Sequence, residues 1–277
     1  MSGAESTHTE TLAGAAADAY DPSSIIHHVE DANYLEIPFV AKVHLPHWEI
    51  AGFDVSITKH VIMLWIVSVL LLVLLRLAVR KTDTLVPSGI RNVLEILIVF
   101  IRDDVAKRTI GAGHERYLGY LLTTFFFILT ANLVGMVPGM ATATGNLSVT
   151  AALAVVAFFA FQWAGIREYG VVGHFKHLVP PGLPIFILPV MIIVEVLSML
   201  VRPFALCIRL FANMMAGHLV IGAFISLILL FGLPMVLPSI GFALFIHFLE
   251  LLVAFLQAYI FTVLTSQFIA LSVHPAH

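Results

Sequence analysis

Charge is what this chain has least of: 11% of its 277 residues are Asp, Glu, Lys or Arg, against 60% hydrophobic residues. That balance, with a mean hydropathy of +1.01, excludes an ordinary soluble domain and implies an integral membrane protein. Cysteine is nearly absent too. The single Cys207 lies in an apolar segment, which excludes an intrachain disulfide framework or a cysteine-based metal cluster and leaves a small packed side chain. A net charge of −3 gives no footprint for a nucleic acid partner. No Gly-xxxx-Gly-Lys-Ser/Thr phosphate loop is present, so no phosphoryl transfer is expected of this chain. Of its thirteen histidines, the pairs in HLPH (44–47) and HFKH (174–177) lack the HExxH spacing of a zinc enzyme, and neither a metal nor a cofactor is expected.

Strands of alternating polarity, the mark of a membrane barrel, are missing as well. Instead, runs such as VIMLWIVSVLLLVLL (61–75) are apolar on every side, as suits helices crossing about 30 Å of hydrocarbon with roughly 20 residues each. The expected fold is an all-α integral membrane protein of about five membrane segments plus one amphipathic helix, the last two segments forming a long tilted antiparallel hairpin.

Charge placement orients the chain. Residues 1–22 carry no Lys or Arg and lack the parts of a secretory signal, and they read as a disordered tail. Nine acids and two lysines precede residue 60, which suits an extracytoplasmic acidic tail (1–59) ahead of a membrane domain (60–277). Between Arg76 and Arg116 stand eight of the fourteen Lys and Arg residues, marking the cytoplasmic side. A first span, about 60–79, therefore runs inward. Arg91, Glu95 and Arg102 lie within about 40° on a helical wheel, opposite an apolar face, giving an interfacial or protein-packed amphipathic helix. A second span, about 117–137, returns outward to Pro138, and a third, about 148–165, leads to a loop (166–181) with Arg167 and Lys176. The N-terminus is expected outside and the C-terminus in the cytoplasm.

The last 96 residues hold only four charged side chains, Glu195, Arg202, Arg209 and Glu250. A single helix over 189–230 would be about 63 Å long, twice the hydrocarbon thickness, so it must tilt or break. The single tilted helix is preferred; a break at RPFALCIR would move the C-terminus across the membrane. Phe231–Pro234 followed by Pro238 reads as a turn, closing a charged hairpin over 185–272. Residues at equal height in such a hairpin have numbers adding to a constant: Arg209 with Gln257 gives 466, and His218 with Glu250 gives 468.

Glu195, Arg202 and Arg209 recur every seven residues and form one stripe. Arg209 shares its face with Ala205, Ala212, Ala216 and Asn213, small or polar residues that let another helix approach. A charge at mid-membrane costs at least about 2.5–3.5 kcal/mol and by default marks an ion path or counter-ion site. Glu195 is about 21 Å away along an ideal helix, so the arginine calls for a carboxylate on a partner chain. Carbonyl pairing or snorkelling to the interface is the structural alternative. His218 and Glu250 can relay protons or simply bond two helices together. Nine residues put Arg209 and His218 on opposite faces, so the relay would open inward while the arginine faces outward. A stand-alone ion-coupled secondary transporter or channel is the alternative class, although no inverted repeat is visible.

Arg209-Leu-Phe-Ala-Asn-Met-Met-Ala-Gly-His218, with Glu195 upstream, Glu250 and Gln257 in the last segment and Asn132-Leu-Val-Gly-Met-Val-Pro138 in the second span, resembles the a subunit, the membrane stator, of F-type ATP synthases. The resemblance covers about residues 60–272. The histidine and glutamate stand exchanged relative to many bacterial members, and no acid precedes Asn146. The resemblance implies a subunit pressed against a ring of c subunits, held by peripheral-stalk b subunits and joined to the rest of the complex in a lipid membrane. It implies proton admission past His218, Glu250, Asn132 and Asn146 and exit near Glu195. Arg209, oriented by Gln257 and Asn213, would keep the facing ring carboxylate ionised and block leakage.

Overall fold

The computed structural model describes residues 34–37, 41–44, 49–50, 53–54, 58–79, 89–137, 142–177, 186 and 188–274. The disordered tail expected over 1–22 lies outside these residues. Two short antiparallel hairpins come first: β1 (Tyr34–Ile37) pairs with β2 (Ala41–His44), and β3 (Glu49–Ile50) with β4 (Phe53–Asp54). Their strands are two to four residues long, too short for alternation to be legible in the sequence.

The membrane part is all-α. Its helices are α1 (Lys59–Val79), α2 (Ile90–Val99), α3 (Lys107–Ile110), α4 (Glu115–Gly135), α5 (Leu147–His177), α6 (Leu188–Phe231) and α7 (Leu233–Val273). Five of these, α1, α4, α5, α6 and α7, are long and apolar enough to cross a membrane. Among the described residues the large buried side chains Leu121, Phe125, Phe161, Leu210, Phe261 and Ile269 join α4, α5, α6 and α7 in one cluster. Tilted and edge-on aromatic pairs run through it, such as Phe125 with Phe255 and Phe161 with Phe268, at 6.0 and 5.8 Å. In lipid this packing holds by dispersion and shape rather than by removal from water.

The amphipathic helix is α2, and it does not stay α-helical. Residues Phe100–Ala106 form a π-helical stretch before α3. Arg102 lies within this wider turn and donates from Nε and Nη2 to Asp103 at 2.9 Å. That bond and the positive charge hold the Asp103 carboxyl below its ordinary range, so the exposed pair persists until pH falls through that lowered value. Ile101 and Val105 of the stretch are buried in the core, so the protein-packed side of the expectation applies to the π segment. α2 has no buried residue.

Two spans differ in length from the sequence reading. The third, expected to end near 165, continues as α5 to His177 and bends at Gly170, whose φ of 71° and ψ of 170° suit only glycine. Arg167 and Lys176 identify polar surroundings but do not break a helix. Beyond the bend, His174 lies against Gly165, and Tyr169 donates its hydroxyl to the Val273 carbonyl at 2.7 Å. The last helix starts at Leu233, inside the stretch expected to be the turn. Pro234 occupies its first turn, where no N–H is missed, and Pro238 is accommodated inside the helix.

α6 is unbroken over 44 residues, with Pro203 inside it. At 1.5 Å per residue it is about 66 Å long, so it can remain in a bilayer only if steeply tilted. α6 and α7 make the most extensive helix pair of the fold. Gly232, at φ 70°, turns the chain between them. The depth pairing holds: Phe224 stacks on Phe242 at 5.7 Å and 4°, a pair whose numbers add to 466.

Candidate functional site

The site is built on the α6–α7 hairpin and the end of α4. Along α6, Leu206, Cys207, Leu210 and Met214 are buried, while Ala205, Arg209, Ala212 and Ala216 are exposed and Asn213 is half-buried. The arginine therefore projects from an outer strip of small residues. Among the described residues it has no ion pair. Arg202, one heptad earlier, is engaged within the hairpin, 5.4 Å from the centre of the Phe268 ring, a cation–π contact. Glu195 is half-buried near the start of α6.

Glu250 is 7% exposed on α7, and neither carboxylate oxygen has a hydrogen-bond partner among the described residues. It lies directly against the backbone of Gly217 on α6, where an added Cβ would come 2.9 Å from its Cδ. A Cβ there would push the end of the glutamate aside. The contact places Glu250 next to residue 218. The His218 side chain lies outside the described residues, so the His218–Glu250 pair itself does too. Gln257, two helical turns along α7, is buried.

Asn132, fully buried on α4, donates from Nδ2 to the Ala254 carbonyl at 3.2 Å. Its Oδ1 accepts the Thr144 hydroxyl at 2.9 Å. It thus joins α4, α7 and the short 3-10 turn Ala143–Gly145. Asn146 caps α5: its Oδ1 accepts the Ser148 amide at 2.8 Å, the usual service of an N-cap side chain. The structure brings Asn132 into the α4–α7 seam. Asn146 is occupied at the start of α5.

The sequence reading passed over His247. Its Nδ1 is 3.6 Å from Glu250 Oε2, and it lines a groove of about 760 Å³ between the end of α4 and α7. The available signal was the spacing: three residues before Glu250, it shares a helical face with it.

The sequence profile described as ATP synthase A chain matches residues 61–270. The chain belongs to this family. Among related proteins, the ATP synthase subunit a of Chloroherpeton thalassium is 46% identical over 266 residues, covering 93% of this chain and 80% of the relative. ATP synthase subunit a 2 of Chlorobaculum tepidum is 47% identical over 273 residues, with 96% and 77% covered. The subunit a of Myxococcus xanthus is 44% identical over 279 residues, with 89% and 92% covered. For a member of the ATP synthase A chain family, five helices able to cross a membrane make a multi-pass membrane protein.

Proposed function

We propose that this chain is the proton-translocating stator subunit of an F-type ATP synthase, working against a ring of c subunits. The observation that carries this reading is Arg209: a permanent cation exposed on a strip of alanines and left without an ion pair inside its own chain among the described residues. A permanent guanidinium in that setting wants an acidic group on a helix that can approach closely. A ring carboxylate meets both conditions.

In this reading protons enter from outside past Glu250 and His218, with Asn132 and Asn146 shaping the path, and reach a ring carboxylate. The protonated site is neutral and moves into lipid. After nearly a full turn it meets a second half-channel near Glu195 and loses its proton to the cytoplasm. Arg209, oriented by Gln257 and Asn213, keeps the site it faces ionised and separates the two paths. A charge crossing 100 mV releases about 2.3 kcal/mol, so several protons are needed for each ATP made elsewhere in the complex. The peripheral-stalk b subunits hold the stator, its N-terminus outside and its C-terminus in the cytoplasm.

The test is ATP-driven proton pumping by the assembled complex carrying Arg209→Ala. The expected result is abolished pumping with assembly intact. Normal coupled pumping would overturn the role and reopen the stand-alone transporter reading.

A further inference from the structure

His247 and the groove beside it have no part in the proton path proposed for Glu250 and His218. The groove is lined from α4 by Leu133, Met136 and Val137, and from α7 by apolar residues together with His247. None of the α4 residues can titrate. Among the described residues His247 is thus the only ionisable group in the lining, and its side chain is 44% exposed while that of Glu250 is 6% exposed. Both Glu250 oxygens are buried without a hydrogen-bond partner among the described residues, whereas His247 beside them reaches the groove. On the opposite side it is closed off by the Gly217 backbone of α6, next to His218, whose side chain is outside the described residues. On α7 itself, the only titratable group that faces Glu250 in the described residues is His247.

We propose that His247 is the residue that hands protons from this groove to Glu250. The proposal rests on the reading of Glu250 as part of the proton entry path and names the first side chain of that path. With the imidazole carrying its proton on Nδ1, a hydronium arriving in the groove protonates Nε2 and leaves as water. The imidazolium then releases the Nδ1 proton to Glu250 Oε2, breaking an N–H bond and making an O–H bond. The ring is left with its proton on Nε2, and the starting tautomer returns when water in the groove takes that proton and delivers one to Nδ1, so each cycle passes one proton to Glu250. The 3.6 Å separation shortens to a hydrogen bond with about 0.6 Å of side-chain motion. Imidazole suits the step because it exchanges protons near neutral pH.

Passive proton conduction is measured through the membrane sector of the complex in vesicles stripped of the catalytic head. His247→Ala should lower conduction about tenfold or more, a modest share of what positioned proton transfer supplies. Added imidazole, which the groove of about 760 Å³ is large enough to admit, should restore much of it. His247→Gln, similar in size and unable to relay, should stay low until imidazole is added. Three results overturn the proposal. If His247→Ala conducts normally while Glu250→Gln is blocked, His247 is dispensable and the half-channel reading survives. If His247→Ala is slow but insensitive to imidazole, or His247→Gln is normal, the residue only packs. If Glu250→Gln also conducts normally, the half-channel reading fails together with the proposal.

Discussion

Gly217 shows how little room surrounds the buried carboxylate. A methyl group there would meet the end of the Glu250 side chain, not backbone, so the glutamate would move aside while the helices keep their separation. Gly217→Ala is therefore expected to leave assembly intact and to reduce passive proton conduction by about tenfold or more, as misplacing a reacting group commonly does. Adding Glu250→Asp withdraws the carboxylate by one methylene and should recover part of the loss. Equal conduction by Gly217→Ala and the parent would mean that the position of the carboxylate does not limit the path. At this scale the sequence is partly legible. Arg209 and Glu250 stand out because charge is so rare around them. His247 does not, because a lone histidine on an apolar helix is most often a packing residue, and its partner is seen only by reading three residues ahead. Asn146 draws notice for its polarity, although an asparagine just before an apolar run is also an N-cap signal.

Among the elements, the hairpin is legible because an antiparallel pair obeys simple arithmetic and the polar residues lie at matching depths. The π-helical stretch is not: nothing in Phe100–Ala106 breaks a helix or announces a wider turn, and the burial of Ile101 and Val105 there shows only in the packed fold. The bend in α5 escapes a reading that takes charge as a helix end, because the actual signal is Gly170 itself. Replacing it tests this account. No atom lies within 4 Å of a Cβ built at Gly170, so Gly170→Ala is opposed only by its backbone conformation, at a cost of about 1–3 kcal/mol. The expected outcome is a lower unfolding temperature and faster hydrogen exchange over residues 171–177, with conduction largely kept. Unchanged exchange would mean that the bend does not depend on glycine.

For the whole molecule, the buried share of the apolar stretch that marks each span is 50% in α4 and 11% in α6. The hairpin thus sits at the edge of the fold with most of α6 uncovered. If that surface is the rotor contact, cysteines at Ala205 and Ala212 should cross-link efficiently to ring positions flanking the c-subunit carboxylate. Absence of cross-links in a complex shown to be assembled and coupled would place the rotor elsewhere.

One end of the hairpin is tied down. Tyr169 holds the Val273 carbonyl and Arg202 lies over Phe268, whereas Leu233 and Leu237 beside the turn are 88% and 82% exposed. Mechanically this is a cantilever, clamped near Arg202 and free at Gly232. Arg209 lies about 10 Å along the helix from the clamp and about 35 Å from the tip. A beam bends least near its support, so a sideways push at the arginine meets a stiff mount, while the same push at the turn would be absorbed as deflection.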